Sequence, residues 1–194
     1  IKNEGVHLYG SLFEHFNPAT PGDSIKNLTL ANVSIDGYES TGTIAGLVTN
    51  GTIINCAATG KISSTNEYTG GIAGRVKLGS IIKNCYTNVE IISASGYNGG
   101  IAGYVFSSTI SGCFSLGNMP SARYNSGGIA GHLSSSTINN CYSASNIISY
   151  ENSNIGGISG STYGNIYNSY STGTITGSRS EEHTSELQSP NTIS

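Results

Sequence analysis

The chain has 194 residues, about half of them Gly, Ser, Asn or Thr, with 10% charged residues and a formal net charge of −3. Scarce Leu, Lys and Glu beside abundant β-branched Ile and Thr argue against a helical protein. The mild acidity leaves no basic footprint for nucleic acid, and no run of about 18 apolar residues exists to span a membrane as a helix.

The first forty residues read as a degenerate opening to a repeat array. Ile25-Lys-Asn27-Leu28-Thr fits the register of the later copies, with Leu28 where those copies carry cysteine. His15–Ser24 reads as an insertion holding Pro18 and Pro21. The regular copies then begin: Gly42-Thr-Ile-Ala-Gly46, Gly70-Gly-Ile-Ala-Gly74, Gly99-Gly-Ile-Ala-Gly103, Gly127-Gly-Ile-Ala-Gly131 and Gly156-Gly-Ile-Ser-Gly160. Their isoleucines recur every 28 or 29 residues, and Cys56, Cys85, Cys113, Cys141 and then Ser169 keep the same step. A fixed period of this size is the signature of stacked repeats.

Each copy reads as three short strands. The first is Gly-Ile-Ala-Gly-x-Val, with Ile72, Gly74 and Val76 on one face and Arg75 on the other. The second places Ile25, Ile53, Ile82, Ile110, Ile138 and Ile166 three residues before the cysteine slot. The third carries Ile62, Ile91, Met119, Ile147 and Ile175 six residues after it. No such strand buries its apolar side alone, whereas stacked coils bury a continuous core. The expected fold is all-β: a right-handed parallel β-helix, or β-solenoid, of about six coils over residues 1–178.

The repeat stops near Gly177. Arg179-Ser-Glu-Glu-His-Thr-Ser-Glu-Leu-Gln-Ser189 resembles a translated sequencing-library adapter, and residues 179–194 are read as a non-native, disordered tail. Residues 1–178 are read as a fragment of a longer protein.

Three columns carry the remaining information. The cysteines occupy one slot of successive parallel strands, which points to buried free thiols rather than disulfides or a tetrahedral zinc site. The residue before them is Asn27, Asn55, Asn84, Asn140 or Asn168, with Gly112 as the exception. Both residue types tolerate the left-handed region, so this slot marks a bend, and stacked amides there can form a ladder. The residue after them forms an aromatic column, Tyr86, Phe114, Tyr142 and Tyr170. Stacking that shields the coil edges is the favoured role for this column, and a platform for sugars or a protein is the other. A varied outward column, Leu47, Arg75, Tyr104, His132 and Ser161, lies on the first strand.

The Gly-Gly-Ile-Ala-Gly segments, followed by Asn84-Cys85-Tyr86, Asn140-Cys141-Tyr142 and the variant Asn168-Ser169-Tyr170, resemble the GLUG-motif family. That resemblance implies a bacterial cell-surface or secreted repeat protein, some of them adhesin-like and others non-catalytic regions of IgA-cleaving metallopeptidases. It implies an extracellular location, but no ligand.

Enzymatic readings have little support. Five copies of a glycine-rich segment mean backbone packing, since a phosphate loop occurs once, between strand and helix. Asp23 and Asp36 are the only aspartates, and His7, His15 and His132 form no His-Glu-x-x-His motif. The expectation is no catalytic, metal or cofactor site. The chain reads as a rigid spacer or adhesive surface toward a host or cell-surface protein or glycan. The alternatives are a spacer of an IgA-protease-like metallopeptidase and part of a carbohydrate-active parallel β-helix protein.

Overall fold

A computed structural model describes residues 9–20, 23–94, 96–149 and 154–177; the adapter-like tail lies outside these. Every regular element among the described residues is a strand, and every strand pair is parallel. The chain winds into a β-solenoid of about six coils, as the repeat period predicts.

The longest face is a ten-stranded sheet to which most coils contribute two strands in line, such as Ala73–Lys77 and Ile81–Lys83. In the fifth coil they merge into one strand, Ala130–Asn139. After a bend, strands such as Tyr86–Ser93 form a second, six-stranded sheet. Two-residue strands such as Thr69–Gly70 and Asn98–Gly99 form a further six-stranded edge sheet. The second sheet's long strand divides in later coils, giving Phe114–Ser115 and Met119–Ala122.

Register confirms the repeat. Ile82 pairs with Ile53 and Ile110, and Val76 with Val48 and Val105, so identical side chains sit on their own copies one rung apart. Ile44, Ile72, Ile101 and Ile129 are fully buried in one column, and Ile62, Ile91, Met119 and Ile147 line the opposite wall. Each such side chain contributes roughly 1.5–3 kcal/mol of apolar burial.

Two local features differ from the sequence expectation. The Gly-Ile-Ala-Gly segment is a corner between two strands, not one continuous strand. The Ile72 carbonyl accepts from the N–H groups of both Ile44 and Ala45, at 3.0 and 3.2 Å, and both Ile72 and Ala73 point inward. Its glycines serve close approach: a Cβ on Gly100 would collide with the Gly128 carbonyl and the Ser115 side chain. The second difference concerns the insertion. His15 and Phe16 belong to the strand Phe13–Phe16, paired with Leu47 and Val48, and pairing resumes at Ser24. Between these pairings the first coil has residues 17–23 where the next has only 49–51, so the insertion is four residues within 17–23 and does not run from 15 to 24.

Candidate functional site

The cysteine column is an internal fixture. Cys56, Cys85, Cys113 and Cys141 are free and buried. Each thiol donates to the carbonyl two residues earlier, at 3.2 or 3.3 Å, which closes the bend. The Cys85 N–H donates to Cys113 Sγ at 3.4 Å. Burial pushes the Cys56 thiol up and the Cys113 thiol well above the ordinary range. Those two thiols are protonated and inert in that environment.

Beside the thiols, the bend residues take the expected conformation: Asn55 and Asn84 have φ of 52° and Gly112 has 62°. The Asn84 amide donates to Asn55 Oδ1 and the Asn55 amide to Asn27 Oδ1, both at 3.4 Å. A Cβ at Gly112 would meet Asn84 Oδ1 at 2.5 Å, so the glycine leaves space for the last amide of this run.

The aromatic column follows the bend on the second sheet. Tyr86, Phe114, Tyr142 and Tyr170 are in register. Their rings meet as Tyr86–Phe114 at 4.7 Å and Tyr142–Tyr170 at 4.8 Å, tilted by 37° and 34°. The Tyr142 hydroxyl bonds Thr172 Oγ1 at 3.0 Å.

The varied outward column belongs to a larger assembly on the long face. Leu47, Arg75, Tyr104, His132 and Ser161 are in register, and His15 extends the column below Leu47. Tyr68 and Tyr97, each just before a two-residue edge strand, fold over this column. They stack on each other with centroids 5.2 Å apart and planes 6° apart, and both meet the Tyr104 ring edge-on. Tyr104 and His132 stack at 5.3 Å and 4°, and Tyr163 lies 5.7 Å beyond His132.

Charge enters at one rung. The Arg75 guanidinium lies 5.1 Å from the Tyr68 ring centre and pairs with Glu39 at 3.5 Å. The Lys77 ammonium lies 5.6 Å from the Tyr104 ring centre. Such cation–ring contacts hold the cationic heads in place. Burial, and then the Glu67 carboxylate, push the Tyr68 hydroxyl up to about 12. Burial lowers the Lys77 ammonium, with Arg75 adding to it, and burial lowers the His132 imidazole.

Sequence columns found Arg75, Tyr104 and His132 but missed Tyr68, Tyr97, Lys77, Tyr163 and Glu39. A signal existed for two of them: Tyr68 and Tyr97 stand 29 residues apart, each two residues before a Gly-Gly pair. The two aromatic groups also differ in geometry. The long-face pairs Tyr68–Tyr97 and Tyr104–His132 stack nearly parallel, whereas the second-sheet pairs are tilted by 37° and 34°.

Residues 151–176 match the family model described as the GLUG motif. No curated protein matches the chain. Among solved structures, a crystal structure from Bacteroides ovatus, described as a "putative immunoglobulin A1 protease", is similar with a TM-score of 0.73 and 27% identity. The alignment covers 87% of this chain and 56% of that one, so the chain spans a little over half that structure's length. This chain therefore carries the GLUG motif on a parallel β-solenoid of about six coils.

Proposed function

We propose that the chain is a non-catalytic repeat region of a bacterial cell-surface or secreted protein, a stiff spacer that also presents a binding face. The observation that carries this reading is the long-face assembly, in which Arg75, Tyr104 and His132 occupy successive rungs of one sheet. A backbone paired on both sides fixes their spacing, so recognition groups are held without a loop to order. Rigid presentation of this kind lowers the entropic cost of binding.

The likeness to the Bacteroides ovatus structure favours a specific second reading, a spacer within an immunoglobulin A protease. Array binding by the purified chain, paired with an immunoglobulin A cleavage assay, tests both readings. Retention of a glycan or protein without turnover agrees with the proposal. Cleavage of immunoglobulin A by this chain alone contradicts the non-catalytic reading.

A further inference from the structure

Two positions of the third coil break the repeat on its outward side. Ile81 stands in a column that is otherwise Ser24, Thr52, Thr109, Thr137 and Asn165, and it is 38% exposed. Leu78 fills the turn slot that holds Asn50, Ser107 and Ser135 in neighbouring coils, and it is 57% exposed. The backbone is left-handed at all of these turn residues, with φ of 53° at Asn50, 57° at Leu78, 47° at Ser107 and 48° at Ser135. Asparagine tolerates that region, whereas a bulky leucine is strained in it and here gains little burial. Coil packing explains the polar copies but not these two apolar ones.

Cations flank the same rung. Lys77 and Lys83 stand on either side of Leu78 and Ile81, and Lys26 shares a column with Lys83, with Ile54 between them. None of these lysines makes an ion pair among the described residues, whereas Arg75 is held by Glu39. The acid of this sheet, Glu14, adjoins His15 on the far side of the Arg75 column from the lysines. The Lys77 ammonium is kept in place beside the Tyr104 ring.

Because these groups are spread along a rung, a ligand matched to them lies across the solenoid axis. Lys77 to Lys83 spans at most about 20 Å, the length of a helix of roughly three to four turns. A helix about 10 Å wide also covers Ile54 and Phe106, half-buried outward residues on the adjoining rungs. The backbone of this rung already pairs with both neighbours, so an added strand finds no edge.

We propose that the Lys77–Leu78–Ile81–Lys83 rung docks an acidic amphipathic helix of a partner protein, laid across the coils. The helix's apolar stripe covers Leu78 and Ile81, with Ile54 and Phe106 at the margins, and carboxylates at its two ends meet Lys77 and Lys83. The stripe supplies affinity, and the flanking charges fix register. The proposal rests on the reading of the chain as a non-catalytic binding region, and it names that region's partner class.

Fluorescence anisotropy tests it with a labelled synthetic helix of about fourteen residues, bearing a leucine stripe and glutamates at both ends, against its glutamine counterpart. The acidic helix binds the full chain, and the glutamine helix binds about fivefold or more weakly. Leu78→Asn with Ile81→Thr gives the rung the second coil's residues, Asn50 and Thr52, so the variant folds. It weakens binding by about tenfold or more. Lys77→Gln with Lys83→Gln weakens binding about five- to tenfold, added salt weakens it, and Lys61→Gln on the second sheet leaves it unchanged.

No binding by the folded chain, equal binding of the two helices, or full binding by the Leu78–Ile81 double variant overturns the proposal. Adsorption to phosphatidylserine vesicles in place of the acidic helix overturns it too. In those cases, retention of another protein or a glycan on the array leaves the binding-region reading intact. Cleavage of the helix defeats that non-catalytic reading, and spares the rung assignment where the Leu78–Ile81 variant still binds weakly.

Discussion

The Cys141 N–H donates to the Ser169 hydroxyl at 3.1 Å, repeating further along the column the contact in which the Cys85 N–H donates to Cys113 Sγ at 3.4 Å. Ser169 also donates to the Tyr167 carbonyl at 2.7 Å, as Cys113 donates to Ser111 at 3.3 Å. Serine and cysteine thus perform the same bend closure, and the thiol's redox chemistry plays no part in it. Cys113→Ser should keep both bonds and cost about 1 kcal/mol or less. Cys113→Val should cost about 1–3 kcal/mol, because it strands the Cys85 N–H. Denaturant unfolding of the two variants measures the difference.

Gly100 and Ser115 form a size-matched pair, since a Cβ on Gly100 would collide with the Ser115 side chain. One coil keeps the balance reversed, with Thr43 in the glycine slot and Ala58 in the hydroxyl slot, both fully buried. The Thr43 hydroxyl donates to the Gly71 carbonyl at 2.6 Å. Gly100→Ala should destabilise by about 1–3 kcal/mol through overpacking. Adding Ser115→Ala should recover part of that loss, giving a measurable coupling in a double-mutant cycle.

Asn55 holds a left-handed backbone, with φ of 52°. Asn55→Ala should cost about 1–2 kcal/mol in backbone strain, whereas Asn55→Gly should keep most of the stability. Melting temperatures of the pair separate the backbone requirement from the amide ladder.

The pH dependence has two limbs. The Tyr68 hydroxyl is raised in the fold, to about 12 from an ordinary 10.0, while the cysteine column divides, with Cys56 and Cys113 raised and Cys85 and Cys141 lowered. The unfolded chain therefore releases the Tyr68 proton first, and the opposed thiol shifts offset one another. The Tyr68 stabilisation is complete below about pH 10 and falls as pH rises toward 12. His132 is lowered by burial, so its contribution is present above its ordinary 6.5 and is lost as pH falls below that value. Stability measured from about pH 5 to 11 should form a plateau between these limbs, and His132→Gln should flatten the acid side.

Repetition made some features legible and hid others. Five copies of the Gly-Ile-Ala-Gly segment and a cysteine every 28 or 29 residues fixed coil length, the buried columns and the asparagine bend. The corner within that segment was not legible, because inward-pointing Ile72 and Ala73 are adjacent and mimic a strand's apolar run. Tyr68 and Tyr97 escaped because their slot holds Ser40, Asn125 and Asn154 in other coils, and packing against Tyr104 emerges only in three dimensions. The insertion was misplaced because Phe13–Phe16 shares strand pairing, but no residue identities, with Ala45–Thr49.

The central proposal is that this repeat region recognises a partner through the long face and performs no chemistry there. Amide chemical-shift mapping of the labelled chain during titration with the glycan or protein it retains on the array tests it most directly. The account predicts shifts concentrated on the long face around Arg75, Tyr104 and His132, with the bound partner recovered intact. Shifts centred on Tyr86, Phe114, Tyr142 and Tyr170, or cleavage of the partner, would contradict it.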